Sequence, residues 1–289
     1  MNKILRVLVP LHVTCIWRVV WGRDYLDTGS IGAGLNLGPC TYLEVRPWSR
    51  DIVSINGREL YLRHVTLARE LLGVRSPLRV DCLTLGDLGV GYALSSAVTI
   101  ASSLYAHTLG IASLERCLDV AHIVEVKLRT GLGDVAAQTS GGEIEIRVKP
   151  GAPSRAAVRR INIKEKVTVI IAELQGGENT PEMLALRYAR IQQASAKLIS
   201  KVLDVADLDT LLELASTFSR EVGFLSENIE RELYSFRSWI RGMFVKKRLL
   251  VIVPERDRAQ DVAESLSSSS LLRDVKFFAL CDRGVTVVH

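Results

Sequence analysis

Residues 89–97 read GVGYALSSA and lead directly into the apolar run VTIASSLYA (98–106). Ala97, Ile100, Ala101, Leu104 and Tyr105 recur at helical spacing, so Ser95 and Ser96 belong to the first turn of a helix. Two local structures fit so many small residues at that point. One is a tight turn with a serine cap. The other is a loop in which Gly89, Gly91 and Ala93 let the backbone wrap a phosphate chain at hydrogen-bond distance, while the helix N-terminus adds roughly half a positive charge. The spacing matches neither G-x-x-x-x-G-K-[ST] nor G-x-G-x-x-G. The residues alone leave both readings open.

The surrounding pattern is mixed. Short apolar strands are predicted at ILRVLVP (4–10) and LRVDCLTL (78–85), with a glycine-bearing loop, TGSIGAGLNLGP (28–39), between them. A second helix runs from a Ser113 cap through Leu114, Cys117, Leu118 and Ala121 to a stop at Gly131. EIEIRVK (143–149) alternates, with Ile144, Ile146 and Val148 on one face and Glu143, Glu145, Arg147 and Lys149 on a face expected to meet solvent. KPGAPS (149–154) is a candidate junction, dividing the chain into 1–153 and 154–289. Beyond it the pattern predicts a strand (166–174), helices (about 181–203, 207–221 and 226–240), a strand (248–255), a helix (257–267) and two closing strands. Without strict β-α alternation this is an α+β chain.

Composition narrows the partners. With 48% hydrophobic against 24% charged residues, 289 residues build a sizeable core. No apolar run approaches the ~20 residues that span a bilayer, so a soluble, cytoplasmic protein without a membrane partner is expected. The five cysteines are scattered and predict free thiols rather than a disulfide framework or zinc site. The net charge of +5 suits an anionic ligand, but the basic residues are spread out. Only short clusters such as Arg159-Arg160 and Lys246-Lys247-Arg248 occur, and a nucleic-acid partner is not expected.

GVGYALSSA resembles the second motif of the GHMP kinases, usually G-L-G-S-S-A. Gly91 and Ser95 match its first glycine and second serine, while Ala93 and Leu94 stand for its second glycine and first serine. Three further stretches resemble the archaeal pantoate kinase branch: VPLHVTCIW (9–17), LDTGSIGAGLNL (26–37) and AHIVEVKLRTGLGDVAAQTSGG (121–142), with VKPGAP (148–153) continuing the pattern. Cys15 departs from the branch's usual glycine, and FRSWIRGMFVKKRLLVIV offers only Gly242 where these kinases carry a glycine-rich third motif.

The resemblance implies a two-lobed GHMP kinase fold, an N-terminal βαβ-type nucleotide and substrate domain with a C-terminal ferredoxin-like α/β lobe. It implies transfer of the γ-phosphoryl of ATP to the primary hydroxyl of pantoate with magnesium. The nucleotide is then expected at Gly89, Gly91, Ala93, Leu94, Ser95 and Ser96, and magnesium at Ser95 and Glu125. Asp134 is the expected catalytic residue at the acceptor hydroxyl, and Ser30, His122, Arg147 and His12 the expected substrate contacts. The alternatives are another GHMP kinase, of homoserine or mevalonate type, and a non-catalytic nucleotide-binding relative. The apolar C-terminal strands are compatible with a homodimer.

Overall fold

The computed structural model describes residues 3–175 and 180–288. The first half comprises β1 (Leu5–Val20), β2 (Gly29–Pro47), β3 (Ile52–Ile55), β4 (Arg58–Leu60), α1 (Arg63–Leu71), β5 (Leu78–Leu83), α2 (Leu94–Thr108), α3 (Leu114–Leu128), α4 (Asp134–Ser140), β6 (Ile144–Lys149) and β7 (Ala157–Ile161). The second comprises β8 (Thr168–Leu174), α5 (Thr180–Leu203), α6 (Leu208–Val222), α7 (Glu227–Leu233), β9 (Ile240–Lys246), β10 (Leu249–Pro254), α8 (Ala259–Ser267), β11 (Leu272–Leu280) and β12 (Thr286–Val288). All strands described join one sheet, ordered β4-β3-β5-β2-β11-β8-β10-β9, with β1 and β6 also pairing with β2, β7 with β6 and β12 with β1. The halves meet where Ala279 and Leu280 of β11 pair with Gly38 and Leu37 of β2.

The long β1–β2 pair organises the first half. The strand predicted at 4–10 continues to Val20, past a register shift between Val9 and Leu11. Pro10 sits in that irregularity, where its missing N–H removes no regular ladder bond. Of residues 28–39, expected as a loop, all but Thr28 are instead the first part of β2. Their glycines serve close packing: a side chain at Gly34 would run into His12 Nε2 and lie 2.9 Å from Glu145 Oε1.

The charged face of β6 is also not solvated as expected. β6 lies between β2 and β7, and Glu145 and Arg147 are 0% and 1% exposed, whereas Val148 on the supposed inner face is 42% exposed. The helix predicted over 226–240 ends at Leu233, passes through a 3-10 turn and becomes β9, a strand absent from the sequence reading. Gly242 in β9 has a packing role, since a Cβ there would stand 2.6 Å from Leu212 Cβ of α6.

Side chains from the second half close over β1. Trp17 packs edge-on against Phe218 of α6 and stacks on Phe224, at ring separations of 5.0 and 6.0 Å. Gln192 of α5 accepts from the Val19 amide at 3.0 Å and donates to its carbonyl at 3.1 Å. The outcome is a cleft floored by β1, β2 and the starts of α2 and α4.

Candidate active site

The start of α2 is built to leave its amides available. Ala93, its N-cap residue, adopts the left-handed conformation (φ 57°, ψ 32°), and no side chain caps the helix. The first N–H groups of a helix have no partner within it, so they can meet an anion. Gly91 just before has φ 138°, a conformation open to glycine. Gln138 of α4 anchors the turn by donating to the carbonyls of Pro10 at 2.8 Å and Ala93 at 3.2 Å. Of the paired serines, Ser96 turns inward, its hydroxyl bonding Ala93 O at 2.9 Å and Gln138 Oε1. Ser95 points across to α3 and donates to Glu125 Oε2 at 3.1 Å.

Glu125 is fixed by its other oxygen. Oε1 accepts from Thr99 Oγ1 at 3.0 Å and lies 3.2 Å from His64 Nε2, which is also 2.8 Å from Thr130 Oγ1. α3 then stops with Arg129 in the left-handed region, and the chain doubles back through Gly131 and Gly133 to begin α4 at Asp134. A Cβ on Gly131 would stand 2.8 Å from both Glu125 Oε2 and Asp134 Oδ2. The glycine therefore keeps open a gap flanked by two carboxylates, with the Ser95 hydroxyl on the Glu125 side. Such hard oxygen donors suit magnesium. Among the described residues no group of three or more His, Cys, Asp or Glu side chains surrounds one point, so an ion here would complete its shell with phosphate oxygens and water.

Asp134 is held from the β1 side. Its Oδ1 lies 3.1 Å from His12 Nδ1 and accepts from Thr14 Oγ1 at 3.4 Å. His12 Nε2 is 3.1 Å from Glu145 Oε1, which also accepts from Arg147 Nη1. Burial alone would raise the Asp134 carboxyl, but Lys246, the His12 contact and Arg147 outweigh it and hold the group well below the usual carboxylate range.

On the far side of Gly133 stand Ser30 and Arg147. A Cβ there would run into Ser30 Oγ and approach Arg147 Nε to 2.6 Å. Arg147 Nε and Nη2 and Glu145 Oε2 are buried without a hydrogen-bond partner among the described residues. Unpartnered buried polar atoms of this kind need an explanation, and the two guanidinium nitrogens are donors of the kind a carboxylate accepts from. His122 is turned elsewhere: its Nε2 lies 2.8 Å from Thr28 O, and burial lowers its basicity.

Two adjoining cavities meet here. One is bordered by Leu62, His64, Gly89, Gly91, Leu94 and Ser95, the other by Thr14, Trp17, Ser30, Gly133, Met183 and Leu184. Ser96, Glu125, His12, His122 and Arg147 border neither, although Glu125 Oε2 abuts Gly131, His12 positions Asp134 and Arg147 abuts Ser30 and Gly133. Sequence reading missed His64, Lys246 and Lys247. The lysines were legible only as a basic cluster, because their position depends on the unanticipated β9–β10 turn, where Lys247 takes φ 54°. A cavity of about 1260 Å³ lies over α6 and β9, where Arg241 is paired with Asp209 and Glu165. There the guanidinium is engaged by two carboxylates, whereas Arg147 is paired with Glu145 through Nη1 and keeps Nε and Nη2 without a partner among the described residues.

The fold is that of the GHMP kinases. A phosphotransferase related to the coenzyme A biosynthesis pathway superposes with a TM-score of 0.84 at 20% identity, over 99% of both chains. The mevalonate diphosphate decarboxylase of Enterococcus faecalis, in a structure concerned with its ATP binding, gives 0.66 at 12% identity over 100% of this chain and 99% of that one. A homoserine kinase from Cytophaga hutchinsonii gives 0.62 at 15% identity, over 100% and 98%. Within that class the chain's sequence relatives are archaeal pantoate kinases. That of Thermococcus kodakarensis is 26% identical over 94% of this chain and 95% of its own, and that of Methanocaldococcus jannaschii 25% over 77% and 82%. No family model matches the chain.

Proposed function

We propose that the protein is a pantoate kinase, transferring the γ-phosphoryl of ATP to the primary alcohol of D-pantoate and releasing ADP and 4-phosphopantoate. The observation that carries the reading is the gap over Gly131, where Glu125 and Asp134 face each other between the α2 N-terminus and the buried Arg147. The near-full-length likeness to pantoate kinases supports the acceptor. The ATP triphosphate lies along Gly89–Ser95, its oxygens accepting from the free amides of α2. Ser95 and Glu125 hold magnesium, which neutralises phosphate charge when bound. Pantoate places its carboxylate against Arg147 and Ser30, its dimethyl carbon towards Trp17, Met183 and Leu184, and its alcohol at Asp134.

The proton moves late. An alcohol is about as weak an acid as water, near ~15.7, and an ordinary aspartate sits near ~3.9. Deprotonation before chemistry would cost about 16 kcal/mol, and more here because Asp134 is held lower still. In a loose transition state the bond to the γ-phosphorus forms as the bond to the ADP oxygen breaks, and only then does the hydroxyl become acidic. Asp134 orients the alcohol and accepts its proton at that stage. His12 and Thr14 fix the carboxylate's direction.

The test is incubation with magnesium, ATP and D-pantoate, homoserine or mevalonate in parallel, following ADP release and product mass. Phosphopantoate formed with equimolar ADP is the expected result. ADP release stimulated by homoserine or mevalonate but not pantoate would overturn the acceptor, and no stimulation by any of them the kinase reading.

A further inference from the structure

The two cavities share a short common border made of Thr130, Asp134, Thr180, Lys246 and Lys247. A group that passes from a ligand in one cavity to a ligand in the other must cross there. Of these five side chains two are cationic, Lys246 at the end of β9 and Lys247 in the turn that joins it to β10. Lys246 is 6% exposed, and the one hydrogen bond of its ammonium among the described residues is a long 3.4 Å contact to Gly91 O, on the phosphate loop itself. An ammonium group has three protons to place. Its charge is felt by Asp134 on one side and by Arg147 and Lys247 on the others. Lys247 donates to Thr180 Oγ1 and half-emerges into the same space.

The pair is unfavourable as it stands. Burial and the neighbouring Lys246 push the Lys247 ammonium down to about 7, and burial lowers Lys246 as well. Two adjacent cations withdrawn from water repel each other and lose hydration. A polyanion arriving between them relieves both costs. Packing holds the turn against the loop: a Cβ on Gly91 would stand 2.9 Å from Leu249 Cδ1, and the Lys246 carbonyl lies 3.5 Å from the same point.

We propose that Lys246 and Lys247 are the cations that grip the transferring phosphoryl group, contacting its oxygens at the junction between nucleotide and acceptor. The inference rests on the kinase reading and adds catalytic residues to it. As the bond from the γ-phosphorus to the ADP oxygen breaks and the bond to the acceptor oxygen forms, the acceptor proton passes to Asp134. The lysines stay protonated throughout and neutralise the equatorial oxygens. Coming from the second half of the chain, they also make the site a joint product of both halves.

The test is binding of ADP and of a β,γ-methylene ATP analogue, each with magnesium, by the wild type and by Lys246→Met, Lys247→Met and Lys247→Gln. The lysines touch only the third phosphate, so each variant is expected to bind ADP as the wild type does and to lose at least tenfold of the preference for the analogue. With pantoate, kcat is expected to fall about a hundredfold, with the KM for pantoate little changed. Methionine replaces a buried ammonium with an apolar chain of similar length, so melting temperatures are expected to hold or rise. An unchanged analogue-to-ADP preference in folded variants overturns the proposal, whatever the rate does. Because that preference is read without an acceptor, it fails separately from the pantoate assignment.

Discussion

At the scale of single residues, the site depends on charges whose neighbours decide their behaviour. Burial and the neighbouring Lys246 push the Lys247 ammonium down to about 7, far below an ordinary lysine. A triphosphate favours its charged form, so binding above that pH must take up a proton. The analogue's affinity should therefore weaken from pH 7.5 to 9, with proton uptake detectable by calorimetry in buffers of different ionisation enthalpy. In Lys247→Met this part of the pH dependence should vanish; an identical slope in the variant contradicts the assignment. The same lysine sets a stability trend. Its folded value is below its unfolded value, so the unfolded chain binds more protons between about 7 and 10, and Lys247 makes the ligand-free protein gain stability as pH rises through that window. Asp134 acts in the opposite range: its lowered folded value stabilises the protein above the ordinary carboxylate pKa, and that contribution disappears as acid protonates it. For magnesium, Ser95→Ala and Glu125→Gln should raise the concentration needed for half-maximal activity. Unchanged magnesium titrations would remove both as ligands.

Among the elements, α2, α4 and β6 carry most of the site, and they were legible to different degrees. The starts of α2 and α3 followed from apolar spacing and from Ser113, whose hydroxyl accepts from Arg116 N at 3.2 Å. β6 was found by its alternation, but alternation reports a pattern rather than which face meets water. That is why Arg147 looked solvated and is buried. β2 was hidden because glycine reads as a loop, whereas here Gly34 clears space for His12 and Glu145. The lysine pair was invisible as a site because it needs a turn whose strand, β9, carries Gly242 for the sake of α6. Two substitutions test this scale. Gly133→Ala pushes a methyl into Ser30 and Arg147, so the KM for pantoate should rise at least tenfold with the KM for ATP nearly unchanged; equal effects on both would contradict the placement of the acceptor. Ala93→Gly relieves a left-handed alanine, a strain of roughly 1–2 kcal/mol that exceeds glycine's extra entropy of about 0.5–1 kcal/mol. Chemical denaturation should show a gain below about 1 kcal/mol, and a clear loss would mean that the turn is not strained.

For the molecule as a whole, the sheet is continuous from β4 to β9, and the acceptor cavity is walled by Trp17 of the first half and by Met183 and Leu184 of the second. Shared strands and a shared site predict one cooperative unfolding transition, shifted upward by magnesium with the ATP analogue. Two resolved calorimetric transitions would contradict that coupling. The resemblance carried by residues 9–153 indicated the class of chemistry, but the joint site depends on pairings between residues far apart in sequence, such as Gly38 with Ala279. Spacing along the chain does not report such pairs. Everything turns on Asp134 standing at the alcohol while the nucleotide is held by other groups. The most direct measurement is single-turnover phosphoryl transfer to D-pantoate by Asp134→Asn, with analogue binding measured on the same preparation. Transfer should slow by a factor of about 10²–10⁴ while analogue affinity stays within about threefold of wild type; transfer at the wild-type rate would contradict the account.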